Sequence, residues 1–94
     1  MGRSYDSHKS FKGTAHKGLL RLMMKLPSLR ERLQLLATRS RTLENYCDAY
    51  GEATAMLERL ESGQESAGEG TIEEYRAICF EIETDVVQYC RTHT

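Results

Sequence analysis

The stretch SLRERLQLLATRSRTLENYCDAYGEATAMLERLES, residues 28–62, decides how this chain is read. It opens with Ser28-Leu29-Arg30-Glu31, a capping box in which the Ser hydroxyl takes a free backbone amide and the Glu side chain reaches back. Nothing breaks the helical pattern before Ser62-Gly63, so the sequence predicts one helix over about residues 28–62. Leu22, Leu29, Leu36, Leu43, Tyr50 and Leu57 recur every seven residues in one column. Leu26, Leu33 and Cys47 support a second column, which Ser40 interrupts. Past Leu43 the support moves to Tyr46, Ala53 and Leu60 on the other side of the spine. A stripe this wide suits a globular bundle better than a strict two-stranded coil. Gly51 inside the helix costs about 1 kcal/mol relative to Ala, so it marks a close approach to another helix or a bend.

Downstream, residues 62–70 read as a loop from their Ser and Gly content. Thr71-Ile72-Glu73-Glu74 forms a second capping box and opens a helix predicted over about 71–91. Ile72, Tyr75, Cys79, Ile82, Val86 and Tyr89 line one face of it, widened by Ile78 and Cys90. Phe80 and Val87 lie on a second, outer apolar surface. Upstream, Pro27 must stop or bend the chain. Before it, Lys17, Arg21 and Lys25 recur every four residues beside Leu19, Leu20, Leu22, Met23, Met24 and Leu26, which predicts a short basic amphipathic helix over 17–26. Residues 1–16 show no periodicity and read as a mobile basic arm, with residues 17–94 as a single helical domain.

Two long helices joined by a short loop default to an antiparallel hairpin. Pairing then sets together residues whose numbers sum to about 133, bringing Cys90 near Leu43, Val86 near Cys47 and Cys79 near Thr54. The long helix carries Arg30 and Arg32 at its start and Glu58 and Glu61 at its end, the reverse of what the helix dipole favours. A second copy running antiparallel would correct this and cover Phe80 and Val87. The expected architecture is therefore all-α: a short basic helix, then a long antiparallel helical hairpin that dimerises into a four-helix bundle, with Phe80 and Val87 at the dimer interface.

Charge is balanced overall, at −1, but not along the chain. Residues 1–41 hold ten basic and two acidic side chains, and residues 42–94 hold three basic and twelve acidic. Either the halves neutralise each other or the basic half meets an anionic partner. Lys17, Arg21 and Lys25 are the candidate binding residues for such a partner, an acidic protein or a nucleic acid. An anionic membrane surface, a solubilising role and an organellar transit peptide are other readings of this segment.

Chemistry is sparse. The three cysteines form no recognisable disulfide framework and read as buried, reduced thiols in a cytoplasmic protein. Only Cys90-x-x-His93 has metal-ligand spacing, and a zinc site wants four converging ligands. No nucleophile–base pair, cofactor loop or catalytic dyad can be placed, and no apolar run reaches the roughly 18 residues a membrane span needs. The segment Leu43-Glu44-x-Tyr46-Cys47-x-Ala49-Tyr50, running on to Leu60-Glu61-Ser62-Gly63, resembles the central helix of some phage terminase small subunits. The flanking parts of that family's pattern are absent. The resemblance implies a DNA-binding oligomer. The residues themselves favour a non-enzymatic helical interaction or regulatory module without cofactor or metal, self-associating as a homodimer. The alternative is a nucleic-acid-binding protein that uses the basic N-terminal segment, with the hairpin as its dimerisation core.

Overall fold

Side-chain chemistry at residues 38–40 cuts the central helix in two. A computed structural model describes residues 11–66 and 68–93, and its elements are all helical: α1 (Gly13–Lys25), a 3-10 turn (Pro27–Leu29), α2 (Arg30–Ala37), α3 (Arg41–Glu61) and α4 (Thr71–Thr92). The single helix expected over 28–62 is thus α2 and α3 with a joint between them. Ser and Thr hydroxyls offer the backbone local partners that compete with the helical ladder. Thr38 Oγ1 donates to the Leu35 carbonyl at 2.8 Å. Ser40 leaves helical geometry, at φ −113° and ψ 112°, and its Oγ accepts from the Leu43 N–H at 3.0 Å. Ser40 is the N-cap of a new helix, and the gap it leaves in the apolar column marks the joint.

The two expected capping boxes do not form. Ser28 lies inside the 3-10 turn that Pro27 opens, and the N-cap of α2 is Leu29, without a side-chain hydrogen bond. Gly70, at φ +83°, is the N-cap of α4, so Thr71 is already helical. A left-handed backbone is open to Gly at little strain, and this outcompetes a hydroxyl cap one residue later. Glu73 and Glu74 still occupy the first turn of α4, where the helix dipole favours acids.

Helix α1 starts at Gly13, four residues before the expected Lys17, and Phe11 and Ala15 are buried in the core. Residues 11–16 therefore belong to the helical body rather than to an arm, while residues 1–10 of the expected arm lie outside the described residues. Pro27 ends α1 as expected: Leu26 is its C-cap, with its N–H on the Leu22 carbonyl at 2.8 Å.

The core is the expected stripe, closed by α1. Leu22, Leu33, Leu43, Cys47, Val86 and Cys90 are fully buried. Helix α1 crosses α3 where two glycines meet. A Cβ built on Gly18 would lie 1.8 Å from the Cys47 carbonyl oxygen, and one built on Gly51 would lie 2.3 Å from the Thr14 carbonyl oxygen. Gly51 is thus the close-approach point, and its partner is α1. Contacts between α3 and α4 run in opposite directions along the chain: Ser40 meets Tyr89, Tyr50 meets Glu83, and Glu61 meets Arg76.

The reversed charge of the long helix is resolved by its division. Arg30 and Arg32 belong to α2, while Glu58 and Glu61 close α3 and are held by Arg21 and Arg76 of the same chain. Arg32 Nη1 donates to the Cys90 carbonyl at 3.3 Å, near the C-terminal end of α4 where a cation is favoured. The dipole of the long helix therefore supplies no argument for a second copy.

Candidate functional site

The three cations of the basic stripe meet three different environments. Lys17 and Lys25 are exposed. Arg21 is half-buried and engaged: its Nη1 and Nη2 donate to the two carboxylate oxygens of Glu58 at 2.6 and 3.0 Å. This bidentate hydrogen bond holds the Glu58 carboxyl below the usual carboxylate range. The spacing of Lys17, Arg21 and Lys25 showed which residues share a face, but not that an acid of α3 would claim the middle one.

Lys25 and Phe80, assigned from sequence to separate surfaces, line one shallow cavity of about 410 Å³. Its other walls are Tyr50, Thr54 and Leu57 of α3 with Arg76, Cys79 and Glu83 of α4. Tyr50 Oη donates to Glu83 Oε2 at 2.5 Å, and burial together with this bond pushes the phenol pKa up. Phe80 remains 68% exposed at the edge of this cavity. Val87 is half-buried on the same helix and does not line the cavity. Lys17 lines a second depression of about 570 Å³, where Glu52, Met56 and Arg59 face Tyr75, Ile78 and Ile82.

The thiols are not poised for chemistry. Cys47, Cys79 and Cys90 are free and buried. Burial raises the Cys47 pKa to about 12 and also pushes up the Cys79 and Cys90 thiols, so none is presented as a thiolate near neutral pH. Among the described residues no group of three His, Cys, Asp or Glu side chains is placed to hold a metal ion. His93 stacks on Tyr89 with ring centroids 4.0 Å apart, and its Nδ1 lies 3.0 Å from the Tyr89 carbonyl. No helix is long and apolar enough to cross a membrane among the described residues.

The hairpin expectation sets Glu81, Glu83 and Asp85 near Arg39 and Arg41, but the structure gives these arginines other neighbours and holds Glu83 on Tyr50. At the α2–α3 joint, Arg39, Arg41 and Thr42 converge with Tyr89 and His93 from the end of α4 around a cavity of about 460 Å³. Residues 39–42 were read there as helix interior, which scatters them around a cylinder. Only the break at Ser40 brings them to one wall. No family model matches the chain, and no match is found among curated proteins or solved structures.

Proposed function

We propose that this protein is a non-enzymatic interaction module that pairs with a second copy through the outer flank of α4. On this reading α3 and α4 form the antiparallel hairpin, and two hairpins meet around Phe80. The observation that carries it is the 68% exposure of Phe80, on a helix that buries only Cys79, Val86 and Cys90. Burying a Phe side chain is worth about 1.5–3 kcal/mol, so its exposure is an unused source of association energy. The described residues span 47 × 34 × 19 Å, a slab thin enough that much of each helix stays at the surface.

Sedimentation equilibrium at tens of micromolar tests this reading. The expected mass is near twice the 10.8 kDa of the chain. Phe80→Glu should return it to monomer, because a carboxylate buried without a partner is costly. A clean monomer of the unaltered chain over that range overturns the proposal.

The exposure of Lys17 and Lys25 supports a second reading, binding of nucleic acid by the basic segment. Phosphate contacts weaken log-linearly with salt, whereas apolar helix docking does not, so the salt dependence of any captured partner separates the two.

A further inference from the structure

The α2–α3 joint combines three features that a solvated surface does not require together. First, the cavity there is lined by Arg39, Arg41, Ser40, Thr42, Tyr89 and His93, with no carboxylate among the described residues on its walls. Second, neither arginine has an acidic partner within ion-pair distance among the described residues, although acids outnumber Lys and Arg in this chain and two other arginines are paired. Third, a hydroxyl hydrogen is left over. Ser40 and Tyr89 share one hydrogen bond at 2.6 Å, and either atom can donate it. Ser40 Oγ also accepts from the Leu43 N–H. Two hydroxyl hydrogens are available and one closes the pair, so the other is free to be donated at the cavity wall.

Two guanidinium groups, a hydroxyl hydrogen and Thr42 make a donor-rich, cationic pocket that calls for a ligand of acceptors only. Arginine's planar fork matches carboxylate and phosphate geometry. Charge decides between them: two arginines balance the roughly −1.5 to −2 of a phosphate monoester, or two successive singly charged phosphates of a backbone, and overcompensate a single carboxylate. The supports are rigid, since Ser40 is fixed by the α3 backbone and Tyr89, and Tyr89 is stacked on His93.

We infer that the cavity between the α2–α3 joint and the end of α4 binds a phosphate group through Arg39 and Arg41, with Thr42 and the Ser40–Tyr89 pair as further donors. This site is separate from the basic stripe of α1 and from the Phe80 flank, and it does not rest on dimerisation. The phosphate can belong to a small phosphorylated molecule or to a nucleic-acid backbone.

The test is a titration of the isotope-labelled, full-length chain with inorganic pyrophosphate and, separately, with a short single-stranded oligonucleotide, followed by amide chemical shifts. Shifts should concentrate on residues 39–43 and 89–93. Arg39→Gln/Arg41→Gln should weaken binding by about ten-fold or more, the loss expected for charge-assisted hydrogen bonds, while the melting temperature stays put. Should the glutamine pair alter the fold, Arg39→Lys/Arg41→Lys keeps the charge and should still weaken pyrophosphate through loss of the fork. A response to pyrophosphate alone assigns a small phosphorylated ligand, and a tighter response to the oligonucleotide at the same amides assigns a phosphodiester backbone. Absence of shifts at millimolar concentrations of both probes overturns the inference. So do shifts confined to α1, or equal affinity in the folded arginine variants.

Discussion

At the scale of single residues, the most constrained atoms are the missing side chains of Gly18 and Gly51. Backbone carbonyls stand where their Cβ atoms would go, and backbone cannot swing aside as a flexible side-chain end can. Gly18→Ala and Gly51→Ala should each lower stability by about 1–3 kcal/mol or more, the usual range for overpacking, measured by urea denaturation. Gly68→Ala is the control, because its Cβ would meet nothing closer than 3.5 Å. Equal stability of all three variants would show that α1 does not approach α3 so closely. A second residue-scale expectation concerns alkali. Burial raises the Cys47 thiol from 9.0 to about 12 and lifts the Tyr50 phenol, so both groups ionise more readily in the unfolded chain. A raised pKa gives stability that is whole below the unfolded value and is lost as pH climbs toward the folded one. Unfolding free energy should therefore hold to about pH 8.5 and then fall by about 1.4 kcal/mol per pH unit for each group engaged. A flat profile from there to pH 12 would contradict the burial of both.

At the scale of elements, Ser40 does two jobs. Its hydroxyl caps α3 and bonds Tyr89 of α4, so one side chain starts a helix and fixes where another docks. Ser40→Ala should reduce stability by about 0.5–2 kcal/mol, the range for lost N-caps. A double-mutant cycle with Tyr89→Phe separates the inter-helix bond from the cap, and a coupling of zero would mean that the two hydroxyls do not interact. The α1–α3 contact shows a complementary economy, because small residues let two backbones touch without long side chains between them. Helix α4 is different. It buries one narrow stripe, Cys79, Val86 and Cys90, and leaves Phe80 largely in water.

At the scale of the whole molecule, the uneven charge along the chain becomes an arrangement in space. Part of the imbalance is cancelled by Arg21–Glu58 and Arg76–Glu61. Exposed pairs of this kind contribute about 0–1 kcal/mol each, so they set orientation more than stability. Among the cations without an acidic partner in the described residues, Arg39 and Arg41 meet at the α2–α3 joint, while Lys17 and Lys25 stay exposed along α1. If two chains associate through the Phe80 flank, mass action links folding to concentration. The melting temperature of the unaltered chain should rise with protein concentration, while that of Phe80→Glu should not. Calorimetry over a hundred-fold dilution checks this, and a concentration-independent transition in both would argue against the dimer.

Residue order alone determined the helical class, the stop at Pro27, the extent of α4, the buried stripe from Leu22 through Leu43 to Cys47, and the special status of Gly51. These follow from periodicity, proline geometry and the missing side chain of glycine, all of which act over a turn or two of chain. The interruption at Ser40 was also visible, as a gap in an apolar column. Its outcome was not: a serine in that gap can sit on a continuous helix or cap a new one, and the bond that ties the cap to α4 comes from Tyr89, 49 residues away. The same holds for Arg21. Its place in a basic stripe could be read locally, but its bond to Glu58 needed α1 to cross α3 at the two glycines. Tertiary structure decided which cations are spent on acids of the same chain and which are not, because electrostatic partners are chosen by distance in space, and sequence spacing fixes that distance only within one helix.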